Sequence, residues 1–511
     1  MAKHSENANV LLIQPRMGIA GEFALHPPLS LLYVAAGLKK GGFQPVIIDH
    51  RVHYEGWQEV LREQLARKPT YVGLTVMSGA PIRHAIKVSQ FVKQVSQIPV
   101  VWGGSLATVA PQDILRESFV DFTVSGSGFS SSWKLANALQ SRASGNDNES
   151  IFDGIPGLGF KRGEGSEEII FRPTFHGFEH VPYREIPYEI IPDYSVYTQM
   201  GSQERIFPIY GAYGCPYQCS FCISPSMYRD FHPKWMPLSP IEIADHIEFL
   251  MSRFGATEIY FYDDDSFVNP QHVRAFMTEI KRRGLKPRLS FRGARINEIL
   301  MMNDDFLDEL AEGGTHILHI GIESGSPRIL KLFRKGVTVD DILEANRRLS
   351  RNHRIIAAYN WILGTPTETP ADVALTIKLI TTLLQENPRA IIFQPNKFHP
   401  IPGTELASFA ERYGYRKPTT LQAWIDEEAE GEKTEPWYSR KTNSLIRMLQ
   451  ITSYFIDQKP ELLLEAKSKK NTLLKFLMRL YRPIAQFRFR YRITAALWEY
   501  DVFQALRSRL I

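Results

Sequence analysis

Cysteine is scarce here: three in 511 residues, all within eight positions of one another. That excludes a disulfide framework and leaves no thiols for a second metal centre. Long hydrophobic runs are lacking too, since none reaches the ~18 residues needed to span a bilayer. The polar start Met1-Ala2-Lys3-His4-Ser5-Glu6 leads into a strand rather than a secretory signal. Charge of one sign is nearly balanced, and a net +5 does not by itself argue for nucleic acid. Thiols kept free imply a reducing compartment, and the length allows two to four domains with ample core. The composition predicts a cytoplasmic enzyme.

The three cysteines are Cys215, Cys219 and Cys222, in the run Gly214-Cys215-Pro216-Tyr217-Gln218-Cys219-Ser220-Phe221-Cys222. Three thiolates at this spacing hold three irons of a [4Fe–4S] cube and leave the fourth iron open to a ligand. The alternative is a zinc site completed by a histidine. Structural zinc takes paired Cys or Cys/His arms, and no second arm lies nearby.

Four regions are predicted: 1–140, 141–204, 205–406 and 407–511. In the first, apolar runs alternate with helical patterns. Val10–Ile13, Val46–Asp49, Tyr71–Val76, Val100–Trp102 and Phe119–Val124 read as buried strands, and Leu29–Lys40 as a helix stopped by Gly41-Gly42. Such strands predict a doubly wound parallel sheet, which binds ligands at the carboxyl ends of its strands. The residues there are small: Ser78, Gly79 and Ala80, then Gly103, Gly104 and Ser105, then Gly126, Ser127 and Gly128. Small residues let backbone approach a large flat ligand. Residues 141–204 read as a connector, with a hairpin formed by Gly157–Phe160 and Glu168–Phe171 around Gly163 and Gly165, then a proline-spaced stretch.

Strand–helix alternation resumes after Arg205. Predicted strands Glu258–Tyr262, Leu289–Ala294, Ile317–Ile320, Ala358–Leu363 and Ala390–Asn396 each run into a polar or glycine-bearing segment. These segments are Asp263-Asp264-Asp265-Ser266-Phe267, Arg295, Gly321-Ile322-Glu323-Ser324-Gly325, Gly364-Thr365-Pro366-Thr367-Glu368-Thr369 and Pro400-Ile401-Pro402-Gly403-Thr404-Glu405. The carboxyl-end face of such a barrel is where active sites form.

The cysteine motif, with Phe221 just before its last cysteine, and the ordered strand-end segments resemble the radical S-adenosylmethionine (SAM) enzymes over the whole of 205–406. The small-residue loops, with His26-Pro27-Pro28-Leu29-Ser30-Leu31-Leu32-Tyr33, resemble the cobalamin-binding domain preceding the radical SAM domain in one subfamily, the methyltransferase type. Two departures stand out. Gly126-Ser127-Gly128-Phe129 replaces a frequent Gly-Glu-Gly-Glu turn. No Asp-x-His-x-x-Gly motif marks a histidine for cobalt.

The resemblance implies an N-terminal Rossmann-like α/β cobalamin-binding domain, a partial (β/α)6 barrel and a helical C-terminal region. It implies that Cys215, Cys219 and Cys222 hold the cluster, and that Asp264 or Asp265 receives the SAM amino group. Arg295 pairs with its carboxylate, Glu323 and Ser324 lie near its ribose, and Gly364 and Pro366 lie near its adenine. Cobalamin falls to the loops Ser78–Gly79, Gly103–Ser105 and Gly126–Gly128. From the residues alone, the acidic run also suits a helix cap, Arg295 a surface salt bridge, and Glu323 an ion pair with Arg328 or Lys335.

The C-terminal region differs in character. Residues 467–511 carry eleven Lys and Arg against Glu499 and Asp501, a balance of +9 in a chain otherwise at −4. Leucine and aromatic residues interleave with them, among them Leu473, Leu474, Phe476, Leu477, Leu480, Phe487, Phe489, Tyr491 and Trp498. A basic helix of this kind suits an anionic membrane surface; a helical cap on the barrel is the competing expectation. Taken together, the expected activity is cobalamin-dependent radical SAM C-methylation of an unactivated carbon in a lipid or other hydrophobic metabolite, supplied with electrons by a flavodoxin- or ferredoxin-type donor. No nucleic-acid partner is expected. Cyclisation or oxidation without methyl transfer, and a cluster- or cobalamin-binding sensor or scaffold, are the alternatives.

Overall fold

A computed structural model describes residues 9–17, 25–146, 148–162, 168–174, 177–197, 204–429, 435–463 and 469–502. The chain forms two compact units. One comprises the residues up to Tyr197 together with Lys417–Lys433; the other comprises Thr198–Arg416 and Thr434–Arg509.

The first unit is built on five parallel strands: β1 (Asn9–Gln14), β2 (Gln44–Asp49), β3 (Val72–Thr75), β4 (Val100–Gly103) and β5 (Phe122–Val124). They are followed by β6 (Leu158–Lys161) and β7 (Ile169–Phe171), giving the order β2-β1-β3-β4-β5-β6-β7. Alternation along β1 shows why both faces are buried. Val10 and Leu12 pack with Leu31, Ala35 and Leu38 of helix Leu29–Lys40 on one face. Leu11 and Ile13 pack with Ile82, Ala85 and Val88 of helix Ala80–Val95 on the other. Strands covered on two sides are apolar throughout, as doubly wound sheets require.

Several predicted boundaries shift, and the last predicted strand, Ala390–Asn396, is two short ones, Ala390–Ile392 and Asn396–Lys397. The fifth strand begins at Phe122 rather than Phe119, because Asp121 turns its carboxylate onto the Val100 amide at 2.6 Å, while Phe119 and Val120 pack into the core from the preceding loop. The hairpin read in the connector is part of the sheet: β6 pairs antiparallel with β5, and β7 with β6. The Phe122, Phe152 and Phe160 rings cluster there, covering what would be an open edge. Gly163 and Gly165 lie outside the described residues.

Helix Leu421–Ala429 comes from far along the sequence and belongs to this unit. Leu421, Trp424 and Ile425 join the same core as Trp102 and Val88. The Trp424 indole N–H donates to the Asp113 carboxylate at 3.1 Å. Neighbouring acidic residues Glu427 and Glu428 belong to the same helix, whereas Glu430 and Glu432 lie outside the described residues.

The second unit holds six parallel strands in an open, half-barrel sheet. They are β8 (Ile206–Ile209), β11 (Glu258–Phe261), β12 (Arg288–Ala294), β13 (Thr315–Glu323), β14 (Ile356–Leu363) and β15 (Ala390–Ile392). A short ribbon, β9 (Ala212–Gly214) with β10 (Trp235–Pro237), flanks the cysteine motif, and β16 (Asn396–Lys397) extends β14. β13 is longer than predicted and carries Glu323 within the strand. Helices Arg440–Thr452 and Lys469–Tyr491 pack against each other and against Pro370–Glu386 of the barrel. Among the described residues no helix is long and apolar enough to cross a membrane.

Trp424→Ala removes a buried ring and its hydrogen bond to Asp113, which keeps its ion pair with Arg116, so the first unit should lose about 3–5 kcal/mol, most of it from the lost ring. Denaturant unfolding of the full chain, followed by a probe in this unit, measures it. An unchanged midpoint would mean that helix Leu421–Ala429 is not part of that core.

Candidate functional site

All six strands of the half-barrel run the same way, so the segments singled out by sequence gather along one edge of the sheet. The cysteine loop follows β9 through Gly214, whose φ of +81° suits glycine. It is tied down by backbone bonds. The Ser220 N–H donates to the Phe333 carbonyl, the Leu406 N–H to the Ser220 carbonyl, and the Ser220 hydroxyl to the Leu332 carbonyl at 2.6 Å. The Phe221 ring meets Phe333 edge-on at 5.1 Å. Burial pushes the Cys215 thiol up to about 12 and raises that of Cys222. Burial of this kind favours the neutral thiol unless a cation lies beside it.

Arg295 is that edge's central cation. Its guanidinium lies 3.8 Å over the Tyr217 ring. It donates to Cys219 Sγ at 3.2 Å, to the Lys335 carbonyl at 2.9 Å and to Asn297 at 3.3 Å. It is therefore neither a surface residue nor a surface salt bridge; it is buried against the cysteine loop. Around it stand two carboxyls. Asp265 is buried and hydrogen-bonds to Glu298. Glu298 accepts from the Tyr217 hydroxyl at 2.8 Å and the Arg295 N–H at 3.1 Å. Burial, then the nearby charge of Asp265, pushes Glu298 up to about 9, so the pair retains a proton at neutral pH. Asp264 sits apart from this pair and accepts from the Tyr228 hydroxyl at 2.6 Å.

At the end of β13, Glu323 has a φ of +72°, uncommon for a residue with a side chain. It pairs with Lys335 at 3.1 Å, both buried, while Arg328 pairs with Asp372 instead. A Cβ at Gly321 would collide with the Glu323 carboxylate, and one at Gly325 with the helix backbone at Thr376. Ser324 is fully buried, its hydroxyl accepting from the Ser326 N–H at 3.1 Å. At the end of β14, the Gly364 and Thr365 amides both donate to Glu368. The Trp437 indole donates to the Gly364 carbonyl at 2.9 Å, and Pro366 is buried beside them. Thus Cys219, Phe221, Arg295, Glu323 and Lys335 are linked by contacts. Asp264 and Gly364 are placed along the same edge by their own elements.

Among the described residues no group of three or more His, Cys, Asp or Glu is arranged around a single metal ion. A zinc site needs about four donors converging on one ion. Three thiolates are the donor set that three irons of a [4Fe–4S] cube take.

The first unit's small residues are also at strand ends. Gly79 and Gly104 have φ near +90°, and a Cβ at Gly104 would sit 2.8 Å from the Val76 carbonyl. Gly103 differs: an added Cβ would meet only ordinary contacts, so the fold itself does not require glycine there. Ser105 opens helix Ser105–Val109, and Ser78 precedes Gly79 at the end of β3. Gly126 donates its N–H to Thr108 Oγ1 at 3.0 Å, and Ser127 donates its hydroxyl to Glu179. Gly128 begins helix Phe129–Ala143, whose Phe129 is buried.

Sequence reasoning missed several groups here. Tyr217 carries no spacing signal, whereas Lys335 is one of the two partners expected for Glu323 and is the one that pairs with it. Glu298 carries a signal, since Arg295-x-x-Glu298 has the reach of a capping box. The buried pair His50 and His84, 2.8 Å apart and packed on Trp57, was also missed. Burial lowers both to about 4 and about 3, keeping them neutral.

The radical SAM superfamily model matches residues 209–380, and the B12 binding domain model matches residues 23–131. An uncharacterized methyltransferase of Pyrococcus horikoshii is 27% identical over 437 residues, covering 84% of this chain and 88% of that protein. The anaerobic magnesium-protoporphyrin IX monomethyl ester cyclase of Rubrivivax gelatinosus is 25% identical, covering 72% of this chain and 65% of the cyclase, just under two thirds of its length. The solved structure of the radical SAM methyltransferase TsrM from Kitasatospora setae, with cobalamin and a [4Fe-4S] cluster bound, has a TM-score of 0.67 at 18% identity, covering 95% of this chain and all of that one.

One consequence concerns pH. Asp263 is buried, accepts from the Gly211 N–H at 2.7 Å and from the Ser266 hydroxyl at 2.9 Å, and is pushed by burial to about 7. The folded chain therefore holds this proton more tightly than the unfolded one, whose carboxyl titrates near ~3.9. Its contribution to stability is complete below about 4 and lost as pH rises to about 7. The melting temperature of the parent should fall relative to Asp263→Asn across that window. Parallel curves would contradict the assignment.

Proposed function

Since the chain belongs to the radical SAM superfamily and carries a B12-binding domain ahead of its radical SAM domain, we propose that this enzyme methylates an unactivated carbon of a lipid or other hydrophobic metabolite. The observation that carries the reading is the coexistence of those two domains with three cysteines, and no others, in one motif. When bound, a [4Fe–4S] cluster supplies the electron that cleaves SAM to a 5′-deoxyadenosyl radical, and cobalamin carries the methyl group.

Cys215, Cys219 and Cys222 hold the cluster. Arg295, stacked on Tyr217, fixes the position of Cys219 and supplies positive charge beside the thiolates. A carboxylate or backbone carbonyl of Asp264 or Asp265 receives the SAM amino group. Glu323, paired with the buried Lys335 at 3.1 Å, accepts from the ribose hydroxyls. The backbone at Gly364 and Pro366 flanks the adenine, and Phe221 and Ser324 wall the site against water. In the other unit, Ser78, Gly79, Gly103, Gly104, Ser105, Gly126, Ser127 and Gly128 receive cobalamin. At Gly103 an added Cβ would meet only ordinary contacts, so glycine there would leave room for a bound ligand. An external flavodoxin- or ferredoxin-type protein provides electrons.

The similarity to the cyclase favours a second reading, ring closure without methyl transfer. SAM labelled with deuterium in its methyl group separates the two. The reconstituted enzyme, supplied with cobalamin, reductant and an extract of apolar metabolites, should form 5′-deoxyadenosine and a product carrying the labelled methyl, and Cys219→Ala should form neither. A product that has lost hydrogen and gained no label would establish ring closure or oxidation without methyl transfer instead.

A further inference from the structure

The C-terminal helix Lys469–Tyr491 has three faces. Successive helical residues advance by about 100°, so Phe476, Leu477, Leu480, Ile484, Phe487 and Tyr491 fall within about 100° of arc. All six are at least half exposed, Leu480 the most at 67%. The opposite arc holds the buried Ala485 and Phe489, which anchor the helix. The third arc is polar and carries Lys475, Arg479, Gln486 and Arg490. Exposed Trp498 and Val502 follow the helix in sequence. A soluble surface helix turns its apolar arc inward; this one has a buried arc and a second apolar arc turned outward.

Not every basic residue here is available. Arg479 and Arg482 pair with Glu461, and Arg488 with Glu499. Lys467, Arg507 and Arg509 lie outside the described residues. Arg492 differs. It sits just past the helix in a left-handed conformation, φ +55°, usually left to glycine or asparagine. With Lys441 it lines a cavity of about 540 Å³, whose other walls are Pro370, Ala371, Leu445 and Thr494. Among the described residues neither cation forms an ion pair.

We propose that this surface docks the enzyme on an anionic phospholipid bilayer. The outward apolar arc enters the interface, and Lys441 and Arg492 take one lipid phosphate in the cavity beside the helix end. An apolar arc next to a basic one, with Tyr491 and Trp498 near its end, is the pattern of helices that lie in a bilayer interface. The charge complementarity selects an anionic bilayer over a second copy of this chain, which would bring the basic arcs together. The inference rests on the reading of an apolar, lipid-like substrate. It is tested by binding alone, so its failure leaves the methyl-label experiment unaffected.

Flotation of the full chain with vesicles decides the matter. The protein should float with phosphatidylcholine–phosphatidylglycerol vesicles at low salt and less well at 1 M salt, where the Debye length shrinks from ~10 Å to ~3 Å. Lys441→Gln with Arg492→Gln should weaken partitioning to these vesicles about thirtyfold, at about fivefold per basic residue. Leu480→Glu with Ile484→Glu changes only exposed side chains and should abolish flotation while thermal melting stays unchanged. Parent protein that stays with the soluble fraction at low salt would overturn the proposal. So would a dimer in solution that the Leu480→Glu, Ile484→Glu variant converts to monomer, since the face would then join two copies. Flotation unaffected by Lys441→Gln with Arg492→Gln would remove the headgroup site.

Discussion

One buried cation organises the edge of the half-barrel. Arg295 sits on the ring of Tyr217 and spends its donors on Cys219, the Lys335 carbonyl and Asn297. It thereby ties the cysteine loop to the end of β12 and to the segment after β13. Guanidinium suits the task because it is planar, permanently charged and weakly hydrated. A lysine would lose both the stacking and the divided donors. The cost of burying the charge is offset by the polarisable sulfur and by the Asp265–Glu298 pair beside it.

The remaining charges on this edge follow from the same constraint. Parallel strands bring every loop of one kind to one side, so polar side chains accumulate where water is sparse. Most find partners within the edge, while Glu368 Oε1 and Thr365 Oγ1 are buried without one. Glu323 takes Lys335, Glu368 takes two backbone amides, and Glu298 keeps its proton. Glycines at 321 and 325 leave room for these partners, and Glu323 tolerates a left-handed backbone because its ion pair holds it.

Much of this was legible in the sequence. The strands of both sheets follow from apolar runs of four to eight residues, and the strand-end segments from the glycines and carboxylates that break those runs. The β5 boundary was misplaced because Phe119 and Val120 are as apolar as the strand they precede; burial in a loop and burial in a strand look alike in sequence. The hairpin was recognised, but its pairing with β5 depends on an edge no local pattern reveals. Helix Leu421–Ala429 was grouped with the C-terminal region because nothing in its composition names a core more than three hundred residues upstream. Tyr217 escaped notice for the same reason: its role comes from neighbours brought by the fold. The outward arc of the C-terminal helix shows the opposite case. Its basic and apolar residues were evident, yet only the structure separates the cations held by Glu461 and Glu499 from those that are not.

The central claim is that three thiolates leave one iron for SAM. Electron paramagnetic resonance tests it most directly. The anaerobically reconstituted, reduced protein should show a single [4Fe–4S]⁺ signal whose g-values shift when SAM is added, with coupling to ¹⁵N or ¹⁷O placed in the SAM amino or carboxylate group. A signal unchanged by SAM and free of that coupling, in protein carrying a full complement of iron, would contradict it.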